Sequence, residues 1–304
     1  MYYYGVIGTP LAQSLSPALY AWGFSQSGHP GVYCAWEKTA ESLPGFFAAV
    51  RGLPIAGLSV TIPHKQAVIP FLDELTPRAQ AVGAVNLIYW RDGRLVGDNT
   101  DVAGFLAPLQ KLRAAGAQLP PRVLLLGAGG AARAVLAGLG AGLRELWGEP
   151  GLAEVWVTAR DAAKAEALAQ DFGCRTLAWE DREQTLADPG IGGPALIINA
   201  TPLGMVGTFA EQSPLPNLSS GCPNVESAPN DWFIYDIVYN PVQTPLLRAG
   251  RERGMTCVDG LDFFVAQAQE QFRIWTGAEL PGPDQSGQDA RAFLLGILEQ
   301  QAHI

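Results

Sequence analysis

The fold is decided by the stretch Val123-Leu124-Leu125-Leu126-Gly127-Ala128-Gly129-Gly130-Ala131-Ala132. Its apolar run, 123–126, is typical of a central parallel strand that is buried on both faces. The glycines and alanines that follow match the pattern GxGxxA, and an alanine-rich segment that predicts a helix comes next. A strand, this turn and a helix in succession form the context that a dinucleotide-binding site requires. Gly127 permits the tight turn, Gly129 lets backbone N–H groups approach a pyrophosphate, and Ala132 allows close packing of the helix on the strand.

The next predicted strand, 154–159, ends where dinucleotide-binding domains read the adenosine ribose. Arg160 and Lys164 favour a 2′-phosphate and therefore NADP, whereas Asp161 favours a free 2′-hydroxyl and therefore NAD. An ordinary solvated cation is the alternative interpretation of Arg160. A later predicted strand ends in a polar turn at Thr201, which suits packing beside a bound cofactor. The expected cofactor is NADP, with NAD as the open alternative.

Closer to the N-terminus, residues 59–101 hold a second group of informative polar residues. The sequence Val60-Thr61-Ile62 predicts the end of a buried strand, and Pro63 predicts a helix start that places Lys65 in the first turn. The helix macrodipole disfavours a cation there by roughly 0.3–1 kcal/mol, so solubility alone does not explain this lysine. Asp101 begins an amphipathic segment, where an ionised carboxylate is favoured. If Lys65 faces Asp101, the two form an acid/base couple; otherwise they are a surface lysine and a helix cap.

Ser14-Leu15-Ser16-Pro17 predicts another helix start, with Ser16 as the N-cap and Pro17 in the first turn. Backbone N–H groups and two hydroxyls, those of Ser14 and Ser16, converge at such a place. A helix start of this kind binds carboxylates without a cationic side chain. The alternative is simple capping, which needs Ser16 alone and leaves Ser14 without a task.

Composition excludes several classes of protein. The 304 residues, 48% hydrophobic and 16% charged, indicate a globular chain long enough for two domains. A net charge of −9 argues against a nucleic-acid partner. Four dispersed cysteines and three histidines lack the spacing of metal sites, so we expect no metal. Residues 123–143 are apolar enough to span a bilayer, but their strand-turn-helix pattern favours a buried core. With no signal-peptide pattern at the N-terminus, we expect a cytoplasmic protein without membrane contact.

Strands alternate with helices along the chain, which predicts two open α/β domains. We expect an N-terminal substrate-binding domain of residues 1–102 plus 260–304, and a Rossmann-type dinucleotide-binding domain of residues 103–259, with a cleft between them. Among the local elements, Asp92-Gly93 predicts a hairpin turn and residues 64–72 predict a helix. Residues 206–230 are rich in Pro, Ser, Asn and Gly, and predict an exposed loop.

Taken together and in order, the motifs resemble the shikimate dehydrogenase family over nearly the whole chain. The matching motifs are Ser14-Leu15-Ser16-Pro17, Val60-Thr61-Ile62-Pro63-His64-Lys65, Gly83-Ala84-Val85-Asn86, Asn99-Thr100-Asp101, Gly127-Ala128-Gly129-Gly130-Ala131-Ala132-Arg133, Asn199-Ala200-Thr201-Pro202-Leu203-Gly204-Met205, Tyr235-Asp236-Ile237-Val238-Tyr239-Asn240-Pro241 and Asp259-Gly260-Leu261. Their co-occurrence is highly specific, although several of the single motifs are not.

The resemblance implies a fold, an activity and a set of site residues. Family members use NADPH to reduce 3-dehydroshikimate to shikimate in chorismate and aromatic amino-acid biosynthesis. Lys65 and Asp101 match the catalytic pair. The residues matching those that hold the substrate carboxylate are Ser14, Ser16, Thr61 and Tyr239, and those matching the residues that bind ring hydroxyls are Lys65, Asn86, Asp101 and Gln267. The cofactor would contact the turn 127–132 together with Arg160, Lys164, Thr201 and Gly260.

Three departures from the family pattern leave alternatives open. Ser59 stands where the family often has Asn, Phe263 stands where many members have Met, and only the arginine of the usual Asn-Arg-Thr is kept at Ala159-Arg160-Asp161. The second hypothesis is therefore a quinate/shikimate dehydrogenase that accepts NAD. A third, from another class, is a catalytically silent protein that senses shikimate or quinate. The chain is expected to be a monomer or a homodimer, and the sequence favours neither.

Overall fold

A computed structural model describes residues 1–147, 154–187, 195–218, 231–283 and 288–302. The chain divides into two compact units, which we call unit 1 (residues 1–103 and 265–304) and unit 2 (residues 104–264). The first boundary lies one residue from the one expected from the sequence, and the second lies five residues from it. Both boundaries fall inside helices, because the chain passes from one unit to the other within the helices Asp101–Ala114 and Gly260–Thr276.

Unit 1 is built on a mixed six-stranded sheet of order β2-β1-β3-β5-β6-β4. Its strands are β1 Tyr2–Gly8, β2 Gly31–Glu37, β3 Ile55–Val60, β4 Glu74–Leu75, β5 Leu87–Arg91 and β6 Arg94–Asp98. Strand β1 pairs in parallel with β2 and β3, and β5 pairs antiparallel with β3 and β6. The predicted hairpin turn is confirmed, with φ of 51° at Asp92 and 73° at Gly93, values that match the twist of the strands it joins.

The helices associated with unit 1 are α1 Ser16–Ser27, α2 Leu43–Val50, α3 Pro77–Val82, the first residues of α4 Asp101–Ala114, most of α9 Gly260–Thr276, and α10 Ala290–Ala302. Apolar residues of α2 pack with β1, β3 and β5 in one core cluster, which contains Ile7, Phe47, Leu58 and Ile88. Phe264, Ala268 and Phe272, spaced four residues apart on α9, are 7%, 0% and 0% exposed, so one side of this helix is buried.

Two local predictions for unit 1 were wrong. Residues 61–68, all of which the structure describes, form turns instead of the predicted helix, followed by a short 3-10 turn at Ile69–Phe71. A helix over 64–72 would place Pro70 in its interior, where proline lacks an N–H and clashes with the preceding turn. Lys65 therefore does not lie in a first helical turn.

The second wrong prediction concerns the N-terminal cap of α1. Leu15, which has no polar side-chain atom, occupies the cap position, and Ser16 is the first helical residue. The hydroxyl of Ser14 accepts the Ser16 N–H at 3.4 Å, so Ser14 takes the part that was assigned to Ser16.

Unit 2 contains a six-stranded, wholly parallel sheet of order β12-β11-β10-β7-β8-β9. Its strands are β7 Arg122–Leu126, β8 Glu154–Thr158, β9 Arg175–Thr176, β10 Leu196–Asn199, β11 Phe233–Asp236 and β12 Thr256–Val258. The other helices in the described part of the chain are α5 Gly130–Trp147, α6 Ala162–Phe172, α7 Arg182–Ala187 and α8 Pro245–Glu252. Alternate residues of β7 enter the two core clusters on opposite faces, as expected for a central parallel strand.

The predicted exposed loop, 206–230, is partly corrected. Residues 219–230 lie outside the described part of the chain. Within 206–218, Leu215 and Leu218 are each only 1% exposed and pack into the core cluster beside β7 and β10. Arg182 of α7 donates to the Pro214 carbonyl at 2.6 Å. Apolar residues within a Pro/Ser-rich segment thus return to the core.

Candidate active site

Lys65 and Asp101 meet in unit 1, with Lys65 Nζ at 2.5 Å from Asp101 Oδ2. The exposed fractions of their side chains are 15% and 4%. Lys65 lies on the turn that follows β3, and the Val85 N–H donates to its carbonyl at 2.7 Å. Asp101 is the first residue of α4, directly after β6 and its short connection. The pair is therefore a partly buried contact between two segments that each follow a strand of unit 1.

The Asp101 carboxylate receives a hydrogen bond on each oxygen. Asn86 Nδ2 donates to Oδ1 at 2.7 Å, while Lys65 occupies Oδ2. Its backbone N–H donates to Asn99 Oδ1 at 3.1 Å, and the N-terminus of α4 adds a favourable dipole. The ammonium of Lys65 has three N–H donors, one of which points at Asp101, so the arrangement fixes the direction of the other two.

Two glutamines of α9 extend this group of hydrogen-bonded side chains around Asp101. Asn86 Nδ2 lies 3.5 Å from Gln267 Oε1, and Gln271 Nε2 donates to the same oxygen at 2.8 Å. Thr100 joins them, because its N–H donates to Asn86 Oδ1 at 2.7 Å and its hydroxyl accepts from Gln271 Nε2 at 3.2 Å. We call Lys65, Asn86, Thr100, Asp101, Gln267 and Gln271 the Lys65–Asp101 cluster. Of the residues predicted for the ring hydroxyls, all four lie within it.

The residues predicted for a carboxylate lie in both units. Ser14 and Ser16 stand at the start of α1, where Ser16 is 7% exposed. Thr61 follows β3, and its N–H donates to the Ile7 carbonyl at 2.9 Å. Tyr239 belongs to unit 2, where its ring packs on Phe264 with centroids 4.5 Å apart.

The turn Gly127–Ala132 of unit 2 has the features predicted for phosphate binding. Gly127 has φ of 112°, and a Cβ there would lie 2.8 Å from the Ala200 carbonyl oxygen. A Cβ on Gly129 would meet no described heavy atom within 4 Å, so the turn is open at this point. Ala132 is fully buried against the core of β7 and β10. The 18-residue helix α5 starts at Gly130 and directs its first N–H groups at the turn, which suits an anion.

Arg160, Asp161 and Lys164 lie together after β8. Asp161 caps α6, since its Oδ1 accepts the Lys164 N–H at 3.2 Å, and its Oδ2 lies 3.2 Å from Lys164 Nζ. The backbone and side chain of Lys164 hold the pKa of Asp161 below its usual value. Arg160 is exposed. The acidic residue at this tip therefore has a local structural role in addition to any contact with a ribose.

The last predicted cofactor residues are Thr201 and Gly260. The N–H and hydroxyl of Thr201 donate to Asn199 Oδ1 at 3.0 and 2.7 Å. Gly260 starts α9, where a Cβ would lie 2.4 Å from the carbonyl oxygens of Ile237 and Val238. Only glycine allows this approach.

Sequence reasoning missed Thr100 and Asp236. Asp236 is fully buried at the end of β11, where it accepts from Asn199 Nδ2 at 2.9 Å and from the Thr244 hydroxyl at 2.7 Å. Burial raises the pKa of Asp236 to about 7. Both residues lie inside motifs quoted for the family resemblance, which was the available signal. In the described ranges, no group of three or more His, Cys, Asp or Glu side chains could hold a metal ion. A helix long and apolar enough to cross a membrane is likewise absent from the part of the chain that the structure covers.

Comparison with known proteins gives a consistent result. The profile of the family described as "Shikimate dehydrogenase substrate binding domain" matches residues 6–88. A shikimate dehydrogenase (NADP(+)) of Oleidesulfovibrio alaskensis is 48% identical over 278 residues, which are 91% of this chain and 91% of that protein.

Solved structures agree with these sequence relatives. The crystal structure of shikimate 5-dehydrogenase from Thermus thermophilus in complex with NADP(H) and shikimate is similar with a TM-score of 0.73 and 37% identity, over 96% of this chain and 98% of that one. Quinate dehydrogenase from Corynebacterium glutamicum in complex with NAD gives a TM-score of 0.75 at 29% identity, over 97% and 99% of the two chains. The similarity therefore extends over both units.

Proposed function

The chain belongs to the shikimate dehydrogenase family, and from this membership we propose that it reduces 3-dehydroshikimate to shikimate with NADPH, reversibly, in chorismate and aromatic amino-acid biosynthesis. The observation that carries the proposal is the 2.5 Å contact between Lys65 Nζ and Asp101 Oδ2. A sensor that has lost catalysis does not need this pair. Its presence therefore favours an enzyme over the silent binding protein.

The residues of unit 2 fit NADP. The open position at Gly129, the start of α5 and the cations Arg160 and Lys164 would hold the pyrophosphate and the 2′-phosphate, with Thr201 and Gly260 beside them. When bound, the reduced nicotinamide supplies a hydride to the substrate carbon. We propose unit 2 as the NADP-binding domain and unit 1 as the substrate-binding domain.

Lys65 is the group that handles the proton. In the reduction, negative charge develops on the substrate oxygen as the carbonyl becomes an alcohol, and Lys65 Nζ holds the proton that this oxygen receives. Asp101 orients the ammonium through its short contact. In the reverse direction, Lys65 takes the proton from the hydroxyl.

The rest of the Lys65–Asp101 cluster recognises a polyhydroxylated ring. Asn86 and Gln267 would bind ring hydroxyls, since their amides are buried and already directed by hydrogen bonds. The carboxylate of the substrate would be held by hydroxyls and backbone N–H groups at Ser14, Ser16 and Thr61 of unit 1.

A quinate/shikimate dehydrogenase that accepts NAD is the second candidate. Two observations favour it: the carboxylate of Asp161 at the ribose-reading tip, and the similarity to a quinate dehydrogenase in complex with NAD. Both oxygens of Asp161 already have a partner, since one accepts the N–H that it caps and the other contacts Lys164 Nζ. This makes a hydrogen bond from a ribose hydroxyl to Asp161 less favourable. The preferred cofactor is therefore NADP.

The test is the absorbance of the reduced nicotinamide, followed with shikimate or quinate and with NADP or NAD in all four combinations. We expect strong turnover of shikimate with NADP and weak turnover otherwise. Comparable rates with NAD or quinate would support the broader dehydrogenase. A folded protein that turns over neither acid but binds shikimate in calorimetry would support the sensor. We expect a cytoplasmic enzyme that is a monomer or a homodimer, and sedimentation would distinguish these two states.

A further inference from the structure

Gln271 is a buried residue of the Lys65–Asp101 cluster that has no assigned role. It is 2% exposed and lies one helical turn after Gln267 on α9. A buried primary amide has two chemically different ends, and its hydrogen bonds decide which end faces which neighbour. In Gln271 each end has a separate set of partners.

The oxygen of Gln271 faces two hydroxyl donors, one on α1 and one on β3. Tyr20 donates its hydroxyl to Oε1 at 2.8 Å, and Ser59 donates to the same oxygen at 2.6 Å. The Tyr33 hydroxyl in turn donates to Ser59 Oγ at 2.7 Å, so the Ser59 proton is directed at Gln271. Burial raises the pKa of Tyr20 well above its usual value, which keeps this phenol a donor. Two hydroxyl donors therefore hold the acceptor end of the amide in place.

The nitrogen of Gln271 consequently points into the cluster. Nε2 donates to Gln267 Oε1 at 2.8 Å, and it also approaches Thr100 Oγ1 at 3.2 Å and the Asn86 carbonyl at 3.3 Å. Thr100 Oγ1 and Asn86 Nδ2 each lie 3.5 Å from the same Gln267 oxygen. All these donors surround one end of the Gln267 amide. They fix its acceptor end toward Gln271, and its N–H donors point the other way.

We propose that Gln271 is a positioning residue, which fixes the amide of Gln267 so that Gln267 recognises a ring hydroxyl by donating to the hydroxyl oxygen. This rests on the proposed function of the cluster in binding a polyhydroxylated ring acid. The hydroxyls of Tyr33 and Ser59 orient the amide of Gln271, and this amide in turn orients that of Gln267. It also gives Ser59, which replaces the asparagine common in the family, a defined part in substrate recognition.

The test compares Gln271→Met and Gln271→Glu with the control Gln269→Met. Gln269 lies on the same helix and contacts Glu279 at the surface. We expect Gln271→Met to raise the KM for shikimate about 10-fold, the size of one lost hydrogen bond, and to leave the KM for NADP unchanged. Gln271→Glu keeps an acceptor for Tyr20 and Ser59 but turns an oxygen toward Gln267 Oε1. We therefore expect it to raise the KM for shikimate more than Gln271→Met does. The control is expected to match the wild type in both constants.

A double-mutant cycle separates positioning from a general loss of structure. If Gln271 acts through Gln267, then Gln271→Met adds little to the KM of a Gln267→Ala variant. Additive effects, or a Gln271→Met variant that matches the Gln269→Met control, would overturn the proposal while wild-type turnover of shikimate leaves the proposed function intact. Failure of the wild type itself to bind or turn over shikimate would instead remove the proposed function.

A second pair of changes covers the case in which Gln271→Met does not fold. Tyr20→Phe combined with Ser59→Ala removes both donors to Gln271 Oε1 and keeps Gln271 itself. We expect this variant to raise the KM for shikimate in the same direction, because its amide is free to reverse. An unchanged KM for shikimate in a variant with a wild-type melting temperature would contradict the proposal that these hydroxyls orient Gln271.

Discussion

The Lys65–Asp101 cluster and the turn Gly127–Ala132 are prepared for their ligands in opposite ways. In the cluster, charged and amide side chains are buried and hydrogen-bonded to one another, with distances of 2.5 Å for the ion pair and 2.8 Å between the two glutamines. In the turn, side chains are almost absent, and the space above Gly129 is open. In our proposal, the first site would recognise its ligand by directed side-chain donors and acceptors, whereas the second would use backbone N–H groups and a helix dipole.

Because of this difference, the two sites should tolerate amino-acid substitutions differently. A side-chain network depends on every member, because a buried polar group without its partner costs free energy. A backbone turn depends mainly on the absence of side-chain atoms, since any residue except proline supplies an N–H but only glycine leaves the space empty.

Lys65→Ala is expected to have the largest effect. It removes the group that holds the transferred proton, so kcat should fall by about 10²-fold or more, the lower end for general acid–base groups. Steady-state rates with shikimate and NADP measure the loss. Lys111→Ala, which removes an exposed lysine of α4, is the matched control and should keep wild-type rates. A Lys65→Ala enzyme with near-normal kcat would show that the contact with Asp101 has no part in the reaction.

Gly127→Ala and Gly129→Ala should separate folding from binding within one turn. At Gly127 the added methyl would meet the Ala200 carbonyl at 2.8 Å, with φ of 112°, so we expect a loss of roughly 1–3 kcal/mol in the free energy of unfolding. At Gly129 the methyl meets open space, so the melting temperature should stay unchanged while the KM for NADP rises about 10-fold. Thermal melts and kinetics measure both. Equal melting temperatures for the two variants would contradict the assignment.

The turn was also the easier site to predict from sequence. Its strand, glycines and helix are consecutive, so local patterns located it, and the hairpin at Asp92-Gly93 was found for the same reason. The cluster brings together residues far apart in the chain: 181 positions separate Asn86 from Gln267, and 171 separate Thr100 from Gln271. No local period encodes such contacts. Local sequence features raised Lys65 and Asp101 as a candidate pair, and the family resemblance added Asn86 and Gln267. Thr100 and Gln271 were given no role.

The errors have a related physical cause. A helix was predicted around Lys65 from Pro63 alone, but Pro70 and the bond from the Val85 N–H to the Lys65 carbonyl favour turns there. That bond comes from a segment 20 residues away, which local propensity does not include. The same limit explains Leu215 and Leu218, which the core recruits from a segment whose composition predicts an exposed loop.

Asp236 gives a third test, because it is a buried carboxyl without the cation that Asp101 has. In the described ranges all its hydrogen-bond donors are uncharged, and burial raises its pKa to about 7 from the ordinary 3.8. A raised folded-state pKa means that the neutral carboxyl stabilises the fold fully below about pH 4. This contribution is lost as the pH rises from about 4 through about 7.

Asp236→Asn should remove this pH dependence. The amide stays neutral, and the Thr244 hydroxyl can accept a hydrogen bond instead of donating one. We expect the melting temperature of the variant, relative to the wild type, to rise by a few degrees between about pH 4 and about pH 8. Parallel melts over this range measure the difference. A constant difference would mean that Asp236 does not titrate in the folded protein.

Asp161→Asn is expected to have the smallest effect, and it sharpens the contrast inside unit 2. Asparagine is as good a helix cap as aspartate, so α6 keeps its start while one negative charge beside Arg160 and Lys164 is removed. The site is exposed and screened, so we expect the KM for NADP to fall only about 5-fold or less, and less still at high salt. The KM for NAD should stay the same if Asp161 serves the cap and Lys164, and should rise if its carboxylate binds the ribose. Measuring both constants at two salt concentrations therefore decides whether the acidic residue at this tip reads the cofactor or only starts the helix.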